Sequence, residues 1–507
     1  MKRLVVGGLA GALAMGSLAA MPTQAAEVIT SSGCIKSVPE PGTTAPVDIC
    51  YSLFQPASAS AESPVPLIFH SHGWGGSRST SAGSFTAWLD AGFGVLSFDQ
   101  RGFGASGGKA HVENPSFEGE DVTGLVDLVA GLDWVAKDEP GDPVIGAIGG
   151  SYGGGYQMVG AFTDLMKRGK TRFNALAPEI TWYDLQDSLA PSFVPRTLWV
   201  SLLFAAGTDA HTDTVIKGFA YGAATGQWAG SETDAAGANM TEFFRTTGPK
   251  WHVDNGRLLD IPVVFGQGIT DNLFNLNQGI NIFDKALTTE ARSKSILVGY
   301  NGGHVLPSVV PVGAGTGGDP CSRALAGGSF ATLARRFFTE ELKGVATGLG
   351  GRGQYHLATA DGSRCQTVAS AAPSRQFAAG TIATNVGPGV AQHVKLADGP
   401  LTVAGMPHVT ASVTSGALEG RAFFALSVGT SPADAKIVQN NMLPLREALP
   451  VVGAARTIEL PGVAVDVPAG QSLFLTVSPF SDMSFGHGSR APGALVLQNV
   501  VAHVPVV

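Results

Sequence analysis

A serine flanked by glycines, between a strand pattern and a helix pattern, is the feature that most constrains how this chain can fold. Residues Gly149 to Gly153 read Gly-Gly-Ser-Tyr-Gly, follow the apolar run Val144 to Ile148, and precede a helix candidate at Tyr156 to Lys167. Glycine on both sides lets the backbone make a tight strand-to-helix turn and leaves the serine hydroxyl exposed. The pattern therefore predicts alternating strands and helices, with Ser151 as a candidate nucleophile. The alternative is a serine with only a structural role in a turn.

Short apolar runs between helical stretches predict a parallel sheet with helices on both faces, an α/β fold. These runs are apolar on both faces, as strands buried in a parallel sheet are. The further runs are Val65 to His70, Gly94 to Phe98, Ile261 to Phe265 and Ser295 to Val298. The stretch Glu118 to Ala136 has apolar residues at helical spacing, and Leu325 to Leu342 is predicted as a closing helix.

Two later loops carry the acid and the base that a serine nucleophile needs. In this architecture the acid and then the histidine follow the serine along the chain. Asp271 comes after the strand candidate at 261–265, and His304 comes after the one at 295–298. The sequence predicts a triad of Ser151, Asp271 and His304. The alternatives are a carboxylate that caps a loop and a histidine on a surface loop.

Two backbone N–H groups are candidates for stabilising a developing oxyanion. One belongs to Tyr152, the residue after the candidate nucleophile. The other is expected in the glycine-rich loop after the first run, where Trp74 is the favoured donor. That loop could also be a plain tight turn. His70 and His72 are interpreted as supporting residues rather than a second base.

The first 26 residues are predicted to be a signal peptide. Lys2 and Arg3 precede an apolar stretch from Leu4 to Met21, and small residues follow at Ala25 and Ala26. The competing interpretation is a membrane anchor. No later run of 18 apolar residues occurs, so we expect no membrane span in the mature chain and a secreted location, extracellular or periplasmic.

The four cysteines fit an oxidising compartment. Three pairings are possible. Pairing within each neighbourhood of the chain, Cys34 with Cys50 and Cys321 with Cys365, is favoured. No spacing typical of a metal site accompanies them, and neither a metal nor an organic cofactor is expected.

The amino-acid composition limits the classes of partner that the protein can bind. A formal net charge of −8 with 14% charged residues argues against a nucleic-acid partner, which needs a concentrated basic surface. The expected partner is a small-molecule, peptide or ester substrate.

The chain divides into three predicted regions after the leader. A catalytic α/β domain is expected over 27–350, interrupted at about 183–254 by an insertion. That insertion is predicted to be a lid, with an elaborated helix as the alternative. A β-sandwich is expected over 372–507, where short alternating strands follow one another, and the boundary falls between Gly344 and Gly380.

With these residues in view, the chain resembles the Xaa-Pro dipeptidyl-peptidase and cocaine-esterase group of α/β-hydrolases. The resemblance covers nearly the whole mature chain and rests on five motifs: His72-Gly73-Trp74-Gly75, Asp99-Gln100-Arg101-Gly102-Phe103-Gly104-Ala105-Ser106, the serine motif, Gly268-Ile269-Thr270-Asp271 and Gly303-His304. It implies an α/β-hydrolase fold with an inserted helical cap, followed by an all-β jelly-roll domain. It also implies a serine hydrolase that cleaves peptides after an N-terminal Xaa-Pro, or esters and amides of small acids.

One departure concerns the oxyanion donor. Where cocaine-esterase-type members use a tyrosine hydroxyl, this chain has Trp74, so an indole or a backbone N–H has to serve.

The substrate remains open at this stage. A dipeptidyl peptidase needs a carboxylate for the free amine, and Glu179, Asp184 and Asp187 lie near the entry to the insertion. The aromatic residues Trp182, Tyr183 and Trp199 are expected either to line an acyl pocket or to form the core of the cap, and the core is the favoured interpretation. The expected activity is Xaa-Pro dipeptidyl peptidase. The alternatives are a carboxylesterase, acylase or polyester/lipid hydrolase, and a secreted binding protein without catalysis.

Overall fold

The computed structural model describes residues 28–230, 237–304, 318–386, 390–484 and 493–507. The predicted signal peptide lies outside these residues.

A ten-stranded mixed sheet forms the centre of the first 368 residues, in the order β1-β2-β4-β3-β7-β8-β9-β10-β11-β12. The strands are β1 Ile29–Ser37, β2 Val47–Gln55, β3 Leu67–Ser71, β4 Gly94–Phe98, β5 Lys137–Glu139, β6 Asp142–Pro143, β7 Ile145–Gly150, β8 Phe173–Glu179, β9 Val264–Gly268, β10 Ile296–Tyr300, β11 Tyr355–Ala358 and β12 Cys365–Val368. Strands β4 to β11 pair in parallel along this order, whereas β1, β2 and β12 add antiparallel edges. The small β5–β6 hairpin stands apart.

Helices cover both faces of this sheet. They are α1 Thr86–Leu89, α2 Glu118–Ala130, α3 Tyr152–Arg168, α4 Leu185–Leu189, α5 Thr197–Gly207, α6 Asp213–Thr225, α7 Met240–Phe244, α8 Pro249–Asp254, α9 Leu276–Lys285, α10 Thr289–Lys294, α11 Pro320–Ala326 and α12 Phe330–Lys343. Successive strand residues point to opposite faces. In β3, Leu67 and Phe69 join the core under α2, α3 and α9, whereas Ile68 joins the core under α1 and α12. The predicted α/β layering is therefore present.

The predicted elements match the structure with local differences. The closing helix is two helices, α11 and α12, and Gly344 ends the second with a left-handed conformation at φ 64°. Five strands of this sheet were not predicted: the edge strands β1 and β2, the central strand β8, and β11 and β12, which carry the sheet past residue 350 to Val368. These strands are short or polar at their ends, so they lack a clear apolar run.

Between β8 and β9 the described residues, 180–230 and 237–263, form five helices, α4 to α8, and no further strand of the sheet. Helix α5 is the most apolar of these helices in sequence and begins at Thr197. Its sequence has no charged residue, yet Gly207 is its only buried residue, so a strongly apolar helix lies near the surface.

The C-terminal region consists of β-sheets. Its strands are β13 Arg375–Val386, β14 Gln392–Asp398, β15 Leu401–Gly405, β16 His408–Ser415, β17 Gly420–Gly429, β18 Lys436–Ile437, β19 Leu443–Glu447, β20 Val451–Glu459, β21 Val463–Val467, β22 Ser472–Ser478 and β23 Gly493–Val504. A four-stranded sheet, β13-β23-β16-β20, and a five-stranded sheet built on β14-β22-β17-β18 with β19 on β17 share one apolar core. Strands β15 and β21 pair separately, and Ala404 and Ala464 on them pack into the core of the first region.

Both favoured disulfides are confirmed. Cys34 pairs with Cys50 across the antiparallel β1–β2 ladder, and Cys321 at the start of α11 pairs with Cys365 on β12. Among the described residues, no helix combines the length and apolar character needed to cross a bilayer.

The two disulfides should differ in their contribution to stability. Their residues are 16 and 44 positions apart, and the entropy that a cross-link removes from the unfolded chain grows with the closed loop. Replacing Cys321 and Cys365 by alanine should lower the free energy of unfolding by about 4 kcal/mol, against about 3 kcal/mol for Cys34 and Cys50. Urea unfolding of both double variants measures this. A larger loss for the shorter loop would contradict it.

Candidate active site

Ser151 occupies a strained turn between β7 and α3. Its φ of 60° and ψ of −123° lie in a region that residues with a side chain rarely adopt. The glycines beside it are sterically required: a Cβ on Gly149 would come within 2.5 Å of the Gly153 carbonyl oxygen, and one on Gly153 within 2.6 Å of the Ser71 carbonyl oxygen. The turn therefore exists because glycine lets two backbone segments approach closely.

The N-terminus of α3 and the loop after β3 meet at this serine. Tyr152 is the first residue of α3, where backbone N–H groups have no partner within the helix. The loop after β3 passes directly over the turn, since a Cβ on Gly73 would lie 3.8 Å from the Ser151 Cβ. The two elements predicted to supply oxyanion donors are thus adjacent.

Trp74 has only one of its two candidate donors free for this purpose. Its indole Nε1–H donates to the Leu203 carbonyl oxygen at 2.8 Å, which ties the loop after β3 to α5. Its ring packs edge-on against Phe103 and Tyr152, with centroids 4.9 and 5.0 Å away. The backbone N–H of Trp74 is therefore the donor to consider.

His72 supports this loop instead of acting as a base. Its Nε2 accepts the Gln100 backbone N–H at 3.1 Å, and its Nδ1 donates to the Gly73 carbonyl oxygen at 2.9 Å. Burial lowers the pKa of His72, which favours the neutral ring that these two bonds need.

Asp271 and His304 are hydrogen-bonded to each other. The Asp271 Oδ2 lies 2.8 Å from the His304 Nδ1. The other carboxylate oxygen, Oδ1, accepts the backbone N–H groups of Leu273 at 2.8 Å and Phe274 at 2.9 Å, and the carboxylate is fully buried. A neutral His304 bound in this way carries its proton on Nδ1, which leaves Nε2 as an acceptor.

The loops after β9 and β10 hold these two residues together. The Thr270 hydroxyl donates to the Gly302 carbonyl oxygen at 3.0 Å, and the Ile269 N–H donates to the Tyr300 carbonyl oxygen at 2.8 Å. Gly303 has a φ of 99°, and a Cβ there would come within 2.8 Å of the Asp271 Oδ2. Only glycine permits this approach of backbone to carboxylate.

Glu179 connects the Ser151 turn by hydrogen bonds to Tyr300, the last residue of the strand that precedes His304. Its backbone carbonyl accepts the Ser151 N–H at 2.9 Å, and its side-chain Oε1 accepts the Tyr300 hydroxyl at 2.6 Å. Burial raises the pKa of the Glu179 carboxyl, while the Tyr300 hydrogen bond and the nearby His304 oppose that shift. Phe274 makes a second link, since it borders the same cavity as Ser151 and its ring lies edge-on to His304 at 5.3 Å.

The C-terminal β region contacts the acid and base loops through two amides that the sequence analysis missed. Asn441 Nδ2 donates to the Asp271 carbonyl oxygen at 2.8 Å, and Gln439 Nε2 donates to the Asn301 side-chain oxygen at 2.9 Å. Gln439 is fully buried with a φ of 52°, in a strained turn after β18. The available signal was a polar run, Gln439 to Asn441, inside a strand-rich apolar region.

A cavity of about 390 Å³ opens beside Ser151, between the sheet edge and α4 to α7. Trp182, one of the candidate substrate-binding residues, is part of its lining. The indole N–H of Trp182 donates to the Thr247 carbonyl oxygen at 2.6 Å.

The other two tentative substrate residues, Tyr183 and Asp184, do not line this cavity. Tyr183 packs in the main core with Lys285 Nζ 5.6 Å from its ring, and Asp184 caps α4 by accepting the Asp187 N–H. Both residues lie in the connection between the end of β8 at Glu179 and the start of α4 at Leu185, and this connection leaves the cavity wall after Trp182.

Comparison with known proteins connects this site to a family. The family model described as X-Pro dipeptidyl-peptidase (S15 family) matches residues 47–305, which include Ser151, Asp271 and His304. An uncharacterized 31.7 kDa protein of Escherichia coli is 36% identical over 101 residues, which make up 20% of this chain and 33% of that protein. The chain thus matches about a third of that curated relative.

Solved structures share the fold over nearly the full length. A CocE/NonD family hydrolase from Staphylococcus aureus superposes with a TM-score of 0.63 at 12% identity, covering 95% of this chain and 94% of its own. An α-amino acid ester hydrolase gives 0.62 at 13% identity, covering 98% and 100%. An aminopeptidase from a marine-sediment thaumarchaeon gives 0.61 at 12% identity, covering 98% and 99%.

Asn441 should act as a positioning residue for Asp271. Asn441→Ala removes the donor to the Asp271 carbonyl and loosens the acid loop, so kcat of ester hydrolysis should fall about tenfold or more with little change in KM. Asn255→Ala is the matched control, because the amide of the exposed Asn255 also donates to a backbone carbonyl, that of Trp251 at 2.7 Å, and this variant should keep the wild-type kcat. Equal kcat for both variants, with unchanged thermal unfolding, would contradict the role.

Proposed function

We propose that this chain, which belongs to the X-Pro dipeptidyl-peptidase (S15) family, is a serine hydrolase that works through an acyl-enzyme. The observation that carries the proposal is the Asp271–His304 hydrogen bond, 2.8 Å long, at the sheet edge that also holds the strained Ser151 turn. Nucleophile, acid and base then follow one another along the chain in the order typical of α/β-hydrolases.

The proposed reaction begins with attack of the Ser151 hydroxyl oxygen on a carbonyl carbon. His304 Nε2 takes the hydroxyl proton and then gives it to the leaving group, while Asp271 stabilises the imidazolium that forms. The backbone N–H groups of Tyr152 and Trp74 donate to the oxygen that becomes negative. In the second half of the reaction, His304 Nε2 takes a proton from a water molecule, and the water oxygen attacks the carbonyl carbon of the acyl-enzyme. The bond to the Ser151 oxygen then breaks, His304 returns the proton to that oxygen, and the acid is released.

The finer architecture belongs to the same proposal. The helices α4 to α8 act as a cap over the active site, and the C-terminal sheets form a jelly-roll domain. Residues 1–26 act as a signal peptide, and the two disulfides support an extracellular or periplasmic location.

An alkyl fluorophosphonate distinguishes this enzyme from a binding protein without catalysis. The wild-type chain should be labelled covalently at Ser151. The Ser151→Ala variant should not be labelled, and its kcat should be lower by a factor on the order of 10⁶. Ser106→Ala, which removes a serine of the neighbouring loop, should keep the label. A wild-type chain that stays unmodified at Ser151 would refute the mechanism.

Asp271→Asn should lower kcat by roughly 10⁴-fold. The N–H groups of Leu273 and Phe274 require an oxygen at the Oδ1 position, so the new amide must turn its NH₂ toward His304 Nδ1. That group cannot accept the Nδ1 proton, and the ring is driven to the tautomer with its proton on Nε2.

Asp434→Asn offers a matched control for this change. Asp434 also accepts two backbone N–H groups, from Thr430 and Ser431, in a loop of the C-terminal region. Steady-state kinetics on a p-nitrophenyl ester should give wild-type kcat for this variant. A fall of less than tenfold for Asp271→Asn would argue against an orienting role for the acid.

A second candidate, cleavage after an N-terminal Xaa-Pro, is favoured by the description of the matching family. It requires an anion for the substrate's ammonium group. None of the three carboxyls named for this role, Glu179, Asp184 and Asp187, lines the cavity beside Ser151. Each already accepts a hydrogen bond: Glu179 from the Tyr300 hydroxyl, Asp184 from the Asp187 N–H, and Asp187 from the Gln278 amide at 3.0 Å. These engagements support acyl-ester chemistry over peptide-amine recognition.

A further inference from the structure

We propose that the cavity beside Ser151 is the binding site for a large, uncharged, apolar acyl group, such as a medium-length alkanoyl chain. The inference rests on the proposed serine-hydrolase function and names its substrate class. It implies that a substrate with a free α-amino group next to the scissile carbonyl is a poor one.

The lining of the cavity is predominantly apolar, with Thr197, Ser201, His211 and Gln227 among its few polar residues. Aromatic and aliphatic side chains from four elements surround it: Trp74 from the loop after β3, Leu203 and Phe204 from α5, Met240 and Phe244 from α7, and Phe274 from the acid loop. A cavity of about 150 Å³ lined by such residues holds benzene. The volume here, about 390 Å³, therefore exceeds the space that a single aromatic acyl ring needs.

The described lining offers no ionised partner for an ammonium group. It contains no aspartate, glutamate, lysine or arginine among the residues the structure describes. Two buried nitrogen atoms in it lack a hydrogen-bond partner there, the Trp228 Nε1–H and the His211 Nδ1. The indole N–H only donates, and the His211 Nε2–H donates to the Phe204 carbonyl oxygen at 2.7 Å, which leaves Nδ1 as an uncharged acceptor. Neither nitrogen supplies the negative charge that a buried ammonium group needs, and burying that charge without an anion is costly.

Glu113 does not change this conclusion. It lies against Gly155 and borders a separate void of about 10 Å³ behind Trp182. Burial raises the pKa of the Glu113 carboxyl well above its usual range, and its neighbours Glu118 and Asp121 raise it further. Both effects favour the uncharged form of this carboxyl, and Glu113 is absent from the lining of the cavity beside Ser151.

Helix α5 explains why the cavity can exist at the surface. Val200, Leu203 and Phe204 line the cavity, while Leu198 and Leu202 on the same helix are 45% and 44% exposed. Leu202 and Leu203 are therefore a matched pair, one outside the cavity and one in its wall.

A series of p-nitrophenyl esters from acetate to octanoate tests the proposal. Each added methylene that enters the cavity should raise kcat/KM about fourfold, until the chain fills the space. A kcat/KM that is flat or falls from acetate to octanoate would overturn the proposal. Hydrolysis of the acetate that is lost in Ser151→Ala would still leave the serine-hydrolase function standing, so the two failures are distinguishable.

The amine arm uses alanyl-prolyl p-nitroanilide and paired esters of alanine with free and acetylated amino groups. We expect the acetylated ester to be preferred at least tenfold, and no preference for the Xaa-Pro anilide. A preference for the free amine, or faster cleavage of the anilide than of the octanoate ester, would overturn the proposal.

Two variants of helix α5 test whether the acyl chain of the substrate binds in this cavity. Leu203→Trp should shorten the optimal chain and lower kcat/KM for octanoate at least tenfold, while leaving acetate within about threefold. Leu202→Trp should leave the whole series unchanged. The rate of Ser151 labelling by short and long alkyl fluorophosphonates gives a second readout, and an equal response of both variants would refute the assignment.

Discussion

The buried carboxylate of Asp271 is the interaction on which the site depends. One oxygen accepts two backbone N–H groups of its own loop, and the other lies 2.8 Å from His304 Nδ1. A fully buried carboxylate is stable only when its oxygens are satisfied in this way. The same bonds fix the shape of the loop after β9 and the orientation of the imidazole, so the fold of the loop and the chemistry of the base have one cause.

The C-terminal β region completes that arrangement. Asn441 holds the Asp271 backbone and Gln439 holds Asn301, three residues before His304. Asn277 on α9 exchanges hydrogen bonds with Leu460 and Gly462 from the C-terminal region as well. The two regions therefore meet at the loops that carry the candidate acid and base, and a strained turn at Gln439 is the structural cost of that contact.

The core strands of the sheet could be predicted because their signals are local. Glycines near Ser151, Asp271 and His304 mark turns that follow short apolar strands, and these strands lie in one sheet, with β8 between β7 and β9. The edge strands β1, β2 and β12, together with β8 and β11, could not be predicted, because none of them has a clear apolar run and their places in the sheet depend on tertiary pairing. Tyr183 and Asp184 were also grouped with Trp182, although only Trp182 lines the cavity.

The sequence by itself determined the α/β alternation, the glycine-flanked serine turn and the order of the candidate triad, because each depends on residues that are close together along the chain. It favoured the disulfide pairing that the structure has, but it left three pairings possible. Only the tertiary structure decided which donor of Trp74 is engaged, since Leu203 lies 129 positions away. It also decided that amides from the C-terminal sheets brace the acid loop and that apolar helices enclose a cavity with no charged residue in its described lining. Those features depend on contacts between distant segments, which no local pattern encodes.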